Sequence, residues 1–181
     1  MTRVVVIDPQ PAVRAGLAMM LRTEPGLVPV GSAVGASDGM KLVERQRPDV
    51  VVLDPHLLDG DGLGTTRRLR MLDPAPRVVL YTATADTTLP VIARVAGADG
   101  LVDKAAPAEE LFEAIRMVAR GVDALPPLDR EQLDAVVGTN GGADRDEAGL
   151  GAQQHGEAGT DGRLRVDDHD SRHGQHPSRW P

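Results

Sequence analysis

The sequence predicts an α/β fold built on a doubly wound, five-stranded parallel sheet, and two observations support this prediction. Short β-branched runs alternate with segments of helical periodicity within the first 121 residues. The clearest of these runs are apolar throughout, as expected for strands that are buried on both faces of a sheet. Alternating strand and helix signals favour a parallel sheet that is covered by helices on both faces.

The predicted strands are Val4–Ile7, Val28–Ala33, Val50–Leu53, Val78–Tyr81 and Gly100–Asp103. The first and third are uninterrupted runs of valine, isoleucine or leucine, which makes them the clearest buried strands. Pro29 places the second strand at an edge or at a strand start, because proline cannot donate a ladder hydrogen bond.

Helical periodicity joins these strands. The predicted helices are Pro11 to about Glu24, Ser37 or Asp38 to Gln46, a segment that opens at Asp61-Gly62, Asp86–Ala96 and Pro107–Arg120. Pro11 suits a first turn, and Ser37 or Asp38 can cap the second helix. We expect Asp61 to cap the third helix and Asp59 to be a solvated turn acid.

Composition divides the chain into three parts. Residues 1–121 hold the strand and helix signals, residues 122–137 combine Pro126-Pro127 with a short helical pattern, and residues 138–181 are rich in glycine and histidine. We predict a domain, a linker helix and a disordered tail. Leu125, Leu128, Leu133 and Val136 either pack on the domain or pair with a second chain in a homodimer, and the sequence leaves both readings open.

Composition also excludes several classes of protein. The chain has no cysteine, so disulfide scaffolds and thiol catalysis are ruled out. No apolar run has the length of a membrane span, and the start lacks the apolar core of a signal peptide, so we expect a cytoplasmic protein. The net charge of −7 argues against direct nucleic-acid binding by this chain.

Polar side chains follow four of the predicted strands. Asp8 follows the first strand, Asp54 the third, Thr82 the fourth and Lys104 the fifth. Functional groups of a doubly wound sheet collect at the carboxyl ends of its strands. Two carboxylates, a hydroxyl and an ammonium at one edge predict a phosphoryl-transfer site, in which one carboxylate is the nucleophile and the other helps to hold Mg²⁺.

At these residues the chain resembles the receiver domain of bacterial response regulators, most closely the NarL/FixJ type, over residues 3 to about 121. The matching stretches are Val5-Val6-Ile7-Asp8, Pro11-Ala12-Val13-Arg14-Ala15-Gly16-Leu17, Arg47 to Asp54, Asp59-Gly60-Asp61-Gly62-Leu63, Thr82-Ala83 and Gly97 to Lys104. Each motif alone is weakly specific, but their order along the strands and helices is highly specific.

The resemblance implies a flavodoxin-like fold and a signalling domain of a phosphorelay rather than an enzyme. By position, Asp54 matches the phosphoacceptor, Asp8 one acid of the metal-binding pair, Thr82 the switch hydroxyl and Lys104 the site lysine. His56 occupies the position whose backbone carbonyl faces Mg²⁺ in the family. The implied partner is a histidine kinase or a phosphotransfer protein.

Four departures from the family pattern qualify this reading. Pro9 replaces the second acid, which should weaken Mg²⁺ binding, Leu58 replaces the usual proline, and Leu101 replaces the usual aromatic switch residue. The sequence after the linker predicts no LuxR-type helix-turn-helix.

Three alternatives therefore stay open. The first is a pseudo-receiver, an interaction module that works without phosphorylation. The second is a transcriptional regulator whose DNA-binding domain was lost by truncation or a frameshift. The third is a small flavodoxin-like cofactor binder, although the chain has neither a glycine-rich phosphate loop nor an aromatic platform.

Overall fold

The computed structural model describes residues 1–84, 87–130 and 132–133. The elements are β1 Thr2–Ile7, α1 Pro11–Thr23, β2 Leu27–Ala33, α2 Ala36–Gln46, β3 Val50–Leu53, β4 His56–Leu57, β5 Gly60–Asp61, α3 Gly62–Arg70, β6 Arg77–Thr82, α4 Leu89–Ala96, β7 Gly100–Asp103 and α5 Ala108–Ala119.

Five strands form a parallel sheet in the order β2-β1-β3-β6-β7. The predicted fold class is confirmed, and Pro29 lies in the edge strand β2, as its missing donor requires. The register aligns Ile7 with Leu53 and Leu53 with Leu80, so the central strands end nearly level. The carboxyl ends of these strands therefore meet at one edge of the sheet.

Two apolar layers cover the sheet. Helices α1 and α5 pack on one face, where Leu17, Leu111 and Ile115 meet alternate valines of β1, β3 and β6. Helices α2, α3 and α4 pack on the other face, where Val43, Leu69 and other residues meet the remaining strand side chains. This is the doubly wound arrangement that continuous apolar strands predict.

Two helices begin at residues other than those predicted. Helix α2 begins at Ala36, and neither Ser37 nor Asp38 caps it. The cap comes instead from the carboxylate of Asp59, which accepts hydrogen bonds from the backbone N–H groups of Ala36 and Ser37. Helix α4 begins at Leu89, and the predicted start at Asp86 lies outside the described residues.

A small antiparallel hairpin, which the sequence did not predict, follows β3. Strands β4 and β5 pair His56 with Asp61 and Leu57 with Gly60. We call residues 56–61 the site hairpin. Asp61 ends it and caps α3 as predicted, because its carboxylate accepts from the N–H groups of Leu63 and Gly64 at 3.0 and 2.9 Å.

The segment after α5 turns back along the sheet. Ala124 forms a parallel bridge with Gly100 beside the edge strand β7. The carboxylate of Asp123 accepts from Arg94 of α4 at 2.8 Å, and the side-chain amide of Gln132 donates to the carbonyl of Thr87 at 2.7 Å. The segment from 122 to 133 therefore runs along α4, in the direction opposite to the helix.

Helical structure resumes next to Asp129. Its carboxylate accepts from the N–H of Gln132, whose side chain accepts in turn from the N–H of Asp129. This reciprocal pair is a capping box. Leu125 packs on the core layer of α2, α3 and α4, whereas Leu133 is 49 % exposed.

Several expectations fall on residues that the structure does not describe. They include Val136, the end of the predicted linker helix and the whole of the predicted tail. The prediction that no helix-turn-helix follows the linker also concerns these residues. Among the described residues, no helix has the length and apolar character needed to span a membrane.

The two apolar layers carry the stability of the domain. Ile115 of α5 is fully buried, so Ile115→Ala should lower the free energy of unfolding by about 2–5 kcal/mol through lost burial and a residual cavity. Ile92→Ala on α4 is the matched control, because Ile92 is 39 % exposed and should lose less than about 1 kcal/mol. Urea unfolding measures both, and equal losses would contradict the described burial.

Candidate functional site

The carboxyl edge of the sheet brings the predicted site residues to adjoining strand ends. Asp8 directly follows β1 and Asp54 directly follows β3, its neighbour. Thr82 is the last residue of β6, and Lys104 directly follows β7. Asp8, Asp54 and Thr82 are at most 5 % exposed. Carboxylates such as those of Asp8 and Asp54 are seldom buried to this extent unless they are paired.

Lys104 joins the two carboxylates into one ion cluster. Its Nζ lies 2.5 Å from Oδ2 of Asp54 and 2.6 Å from Oδ2 of Asp8. Its side chain is only 9 % exposed, so the charges interact with little screening by water. Two negative charges and one positive charge leave the cluster with a net charge of −1, which suits it to hold a cation.

Backbone donors hold the other oxygen of each carboxylate. Oδ1 of Asp8 accepts from the N–H of Gln10 at 2.8 Å, and Oδ1 of Asp54 accepts from the N–H of His56 at 2.7 Å. Arg14 adds a hydrogen bond from Nη1 to the carbonyl of Asp8 at 2.6 Å. Each carboxylate is thereby fixed with its Oδ2 towards Lys104.

The two carboxylates raise the pKa of Lys104. Burial alone would lower this pKa, because it disfavours the ammonium. The hydrogen bond to Asp54 and the close negative charges of Asp54 and Asp8 outweigh burial, so the pKa lies above the ordinary lysine value. The lysine therefore stays charged to a higher pH than an ordinary lysine does.

Tyr81 contributes an aromatic ring to the site, a role that the sequence analysis missed. Nζ of Lys104 lies 5.8 Å from the ring centroid, within the range of a cation–π contact. Burial raises the pKa of Tyr81; Lys104 opposes this rise, and Asp8 and Asp103 add to it. The only signal in the sequence was the position of this single tyrosine directly before Thr82.

Thr82 takes part in the site through both its backbone and its hydroxyl. Its carbonyl accepts from the N–H of Lys104 at 2.6 Å, which links the ends of β6 and β7. Its Oγ1 accepts from the N–H of Thr84 at 3.1 Å. A hydroxyl that accepts in this way can also donate its own O–H to a ligand oxygen.

The donor set fits a hard divalent cation that retains much of its water. Oδ2 of Asp8 is buried and has no donor in hydrogen-bond geometry, although the ammonium lies close to it. Mg²⁺ typically binds through one or two carboxylates and keeps several waters. Among the described residues no cluster of three or more acidic or histidine side chains could hold a metal, in keeping with Pro9 in place of a second acid.

The remaining singled-out residues fall in different places. The side chain of His56 is 67 % exposed, with Nδ1 lying 3.7 Å from Oδ1 of Asp54. Pro9 is half-buried beside Asp8, Leu101 packs partly on the core, and Leu58 is 84 % exposed.

The expectation that Asp59 is a solvated turn acid was incomplete. Its side chain is exposed, but Oδ1 accepts from the N–H of Ala36 at 2.7 Å and Oδ2 from that of Ser37 at 3.1 Å. These two bonds, Ser37 first, lower the pKa of Asp59 below its ordinary value. The contact joins the site hairpin to α2, and no local sequence motif predicts it.

The raised pKa of Lys104 can be tested directly, because the chain has only two lysines. In Lys41→Arg the single remaining lysine signal in an NMR titration belongs to Lys104, and we expect its midpoint above about 10.4. Since the folded-state pKa is the higher one, the linked stability is fully present below about pH 10.4 and is lost as the pH rises through the folded-state value.

Asp54→Asn in the same Lys41→Arg background provides the control for this titration. Removing one carboxylate leaves the burial of Lys104 in place but takes away its closest negative charge, so the midpoint should fall. A midpoint at or below the ordinary lysine value in Lys41→Arg itself would show that the carboxylates do not outweigh burial.

The chain is similar to known response regulators over the residues that form the sheet and the ion cluster. The family model described as response regulator receiver domain matches residues 4–116. The response regulator GacA of Pseudomonas aeruginosa is 36% identical over 133 residues, which is 74% of this chain and 62% of GacA. The DNA-binding transcriptional activator DevR/DosR of Mycobacterium tuberculosis is 36% identical over 121 residues, 67% of this chain and 56% of that protein.

Solved structures also match. A two-component response regulator of the LuxR family from Aurantimonas sp. has a TM-score of 0.65 at 28% identity and covers 77% of this chain and 98% of its own. The receiver domain of the putative response regulator NarL from Mycobacterium tuberculosis has a TM-score of 0.63 at 28% identity, covering 66% and 97%. This chain spans little more than half the length of the curated relatives it matches. On these grounds, the chain belongs to the response regulator receiver domain family, among relatives of the NarL/LuxR type.

Proposed function

We propose that this chain is the phosphoacceptor of a two-component phosphorelay and receives the phosphoryl group on Asp54. The observation that carries the proposal is the ion cluster, in which a buried carboxylate at a strand end has an ammonium 2.5 Å from one oxygen and a second carboxylate beside it. A buried carboxylate that is held in one orientation beside an ammonium group is suited to nucleophilic attack.

In the proposed step a carboxylate oxygen of Asp54 forms a bond to phosphorus, and the bond between phosphorus and the donor breaks. The electron pair leaves with the donor, either the imidazole of a phosphohistidine or the carboxylate of an acyl phosphate. Lys104 then pairs with a phosphoryl oxygen instead of the free carboxylate, and the hydroxyl of Thr82 donates to another oxygen. The chain is the acceptor of the group rather than a turnover enzyme.

Asp8, Asp54 and the backbone carbonyl of His56 are the groups that we propose for Mg²⁺. When bound, the ion would neutralise charge on the phosphoryl oxygens. Asp8 presents a buried oxygen that lacks a hydrogen-bonded partner. Because Pro9 supplies no carboxylate, we expect weaker binding than a pair of adjacent acids would give.

Receiver domains interact with histidine kinases or phosphotransfer proteins. We propose that one of these is the donor for this chain, that the exchange takes place in the cytoplasm, and that output passes through protein contacts, including a homodimer as one candidate.

Two departures from the family pattern favour a second function. Pro9 leaves the cluster with two carboxylates where the family pattern has three, and Leu101 offers no polar tip that could follow Thr82. A pseudo-receiver that binds its partner without phosphorylation is therefore the main alternative. Partner binding that is unchanged in Asp54→Ala would support it.

The curated relatives supply a third reading. Since the chain covers 56% of a DNA-binding activator that it resembles, it could be the receiver part of such a regulator. Translating the other reading frames downstream of codon 138 tests this reading, because a helix-turn-helix pattern there would identify the lost domain.

Asp54 should gain one phosphoryl group when the full chain is incubated with acetyl phosphate and Mg²⁺. Intact-mass analysis detects the product, and we expect it to be absent from Asp54→Asn. Asp49→Asn is the matched control, because Asp49 precedes the same strand at the opposite edge and its carboxylate binds the N–H of Arg3. A mass gain in Asp54→Asn equal to that of the wild-type chain would refute the proposal.

Restoring an acid at position 9 should strengthen metal binding. Pro9→Glu adds a carboxylate beside Asp8, so the Mg²⁺ concentration that gives half-maximal phosphorylation should fall about tenfold. Pro9→Ala removes the ring without adding charge and separates the two effects. If Pro9→Ala and Pro9→Glu shift the Mg²⁺ requirement equally, loop stiffness and not the missing carboxylate limits binding.

A further inference from the structure

Asp59 occupies the turn of the site hairpin and reaches out of it to another element. Its two carboxylate oxygens accept from the first backbone N–H groups of α2, those of Ala36 and Ser37. Among the described hydrogen bonds, these are the ones that join the hairpin turn to α2. A hairpin with two residues per strand gains little from its own ladder, so contacts with other elements add to its stability.

The backbone of α2 is shaped to receive this carboxylate. A Cβ built on Gly35 would lie 2.1 Å from Oδ1 of Asp59, closer than real contacts allow. Gly35 has φ −146° and ψ −178°, an extended conformation that any residue adopts. A side chain at this position would therefore displace the carboxylate of Asp59, although the backbone conformation itself would tolerate one.

The other end of the hairpin touches the phosphoacceptor candidate. His56 begins β4, pairs with Asp61 of β5, and donates its N–H to Oδ1 of Asp54 at 2.7 Å. That bond leaves Oδ2 of Asp54 towards Lys104. A continuous path of hydrogen bonds and short backbone thus runs from α2 through Asp59 and His56 to Asp54.

We propose that Asp59 is a positioning residue for Asp54, acting through the site hairpin to hold the His56 N–H on Oδ1 and so to orient the reacting carboxylate. The proposal rests on the proposed function of Asp54 as phosphoacceptor. It assigns Asp59 a task beyond capping α2, because a cap alone would not reach the site.

Asp38, an acid at the same helix end, provides a control that distinguishes these two roles. Asp38 lies in the first turn of α2 and is exposed, and its side chain pairs with Lys41 at 3.4 Å. Its charge favours the helix N-terminus in the same sense as that of Asp59. Asp38→Asn should therefore weaken the helix end without touching the hairpin.

The first measurement reads the position of His56 without any phosphorylation. In NMR spectra of the full chain, Asp59→Ala should move the backbone amide proton of His56 upfield and increase its hydrogen exchange about tenfold, because its hydrogen bond to Asp54 loosens. Gly35→Ala should do the same, since its methyl group displaces the carboxylate of Asp59. Asp38→Asn should leave the His56 amide unchanged.

The second measurement reads the reaction. The rate of phosphorylation by acetyl phosphate should fall about tenfold in Asp59→Ala and in Gly35→Ala, and the double variant should be no slower than Asp59→Ala, because both changes break one contact. Asp59→Asn keeps one acceptor oxygen and should recover part of the rate. Circular dichroism and thermal unfolding verify that each variant is folded.

These measurements separate the failure of this proposal from that of the proposed function. Wild type that takes up no phosphoryl group refutes the role of Asp54, while the His56 amide still reports whether Asp59 holds the hairpin. An unchanged His56 amide in Asp59→Ala, an equal shift in Asp38→Asn, or a shifted amide with a normal phosphorylation rate would each overturn the positioning role.

Discussion

The ammonium group of Lys104 lies between two buried carboxylates, and the carboxyl edge of the sheet depends on this arrangement. Asp8 and Asp54 would repel each other at their low exposure, and the desolvation cost of each charge needs a partner of opposite sign. One ammonium within 2.6 Å of both satisfies that need. Other features of the edge, such as the aromatic ring of Tyr81 and the level ends of the central strands, surround this ion cluster.

The order of the strands explains why a lysine serves here. Strand β7 neighbours β6 and not β3, so a side chain that follows β7 must cross about two strand spacings, roughly 10 Å, to reach Asp54. The side chains of Lys104 and Asp54 together bridge this distance past the end of β6, so that Nζ lies 2.5 Å from Oδ2 of Asp54. The same crossing brings the ammonium beside Tyr81, and the compact charge at its tip can meet two carboxylates at once.

Local and periodic features were predictable from the sequence, and contacts between distant residues were not. The five strand signals, which alternate with helical periodicity, predicted the parallel sheet, and the rule that strand ends converge brought Asp8, Asp54, Thr82 and Lys104 to one edge. The site hairpin escaped prediction because strands of two residues carry no period. The start of α2 was placed wrongly because its cap, Asp59, lies 23 residues away along the chain, whereas capping rules look for a residue next to the helix.

The return of the chain along β7 determines at which edge of the sheet the described residues end. Thr2 begins β1 at the amino edge of the sheet, and α5 ends near that edge, because it runs antiparallel to the strands. The bridge of Ala124 to Gly100 and the contact of Gln132 with Thr87 then lead the chain back to the carboxyl edge. The described part of the chain therefore enters at the amino edge of the sheet and by Leu133 has returned to the carboxyl edge, the side on which the ion cluster lies.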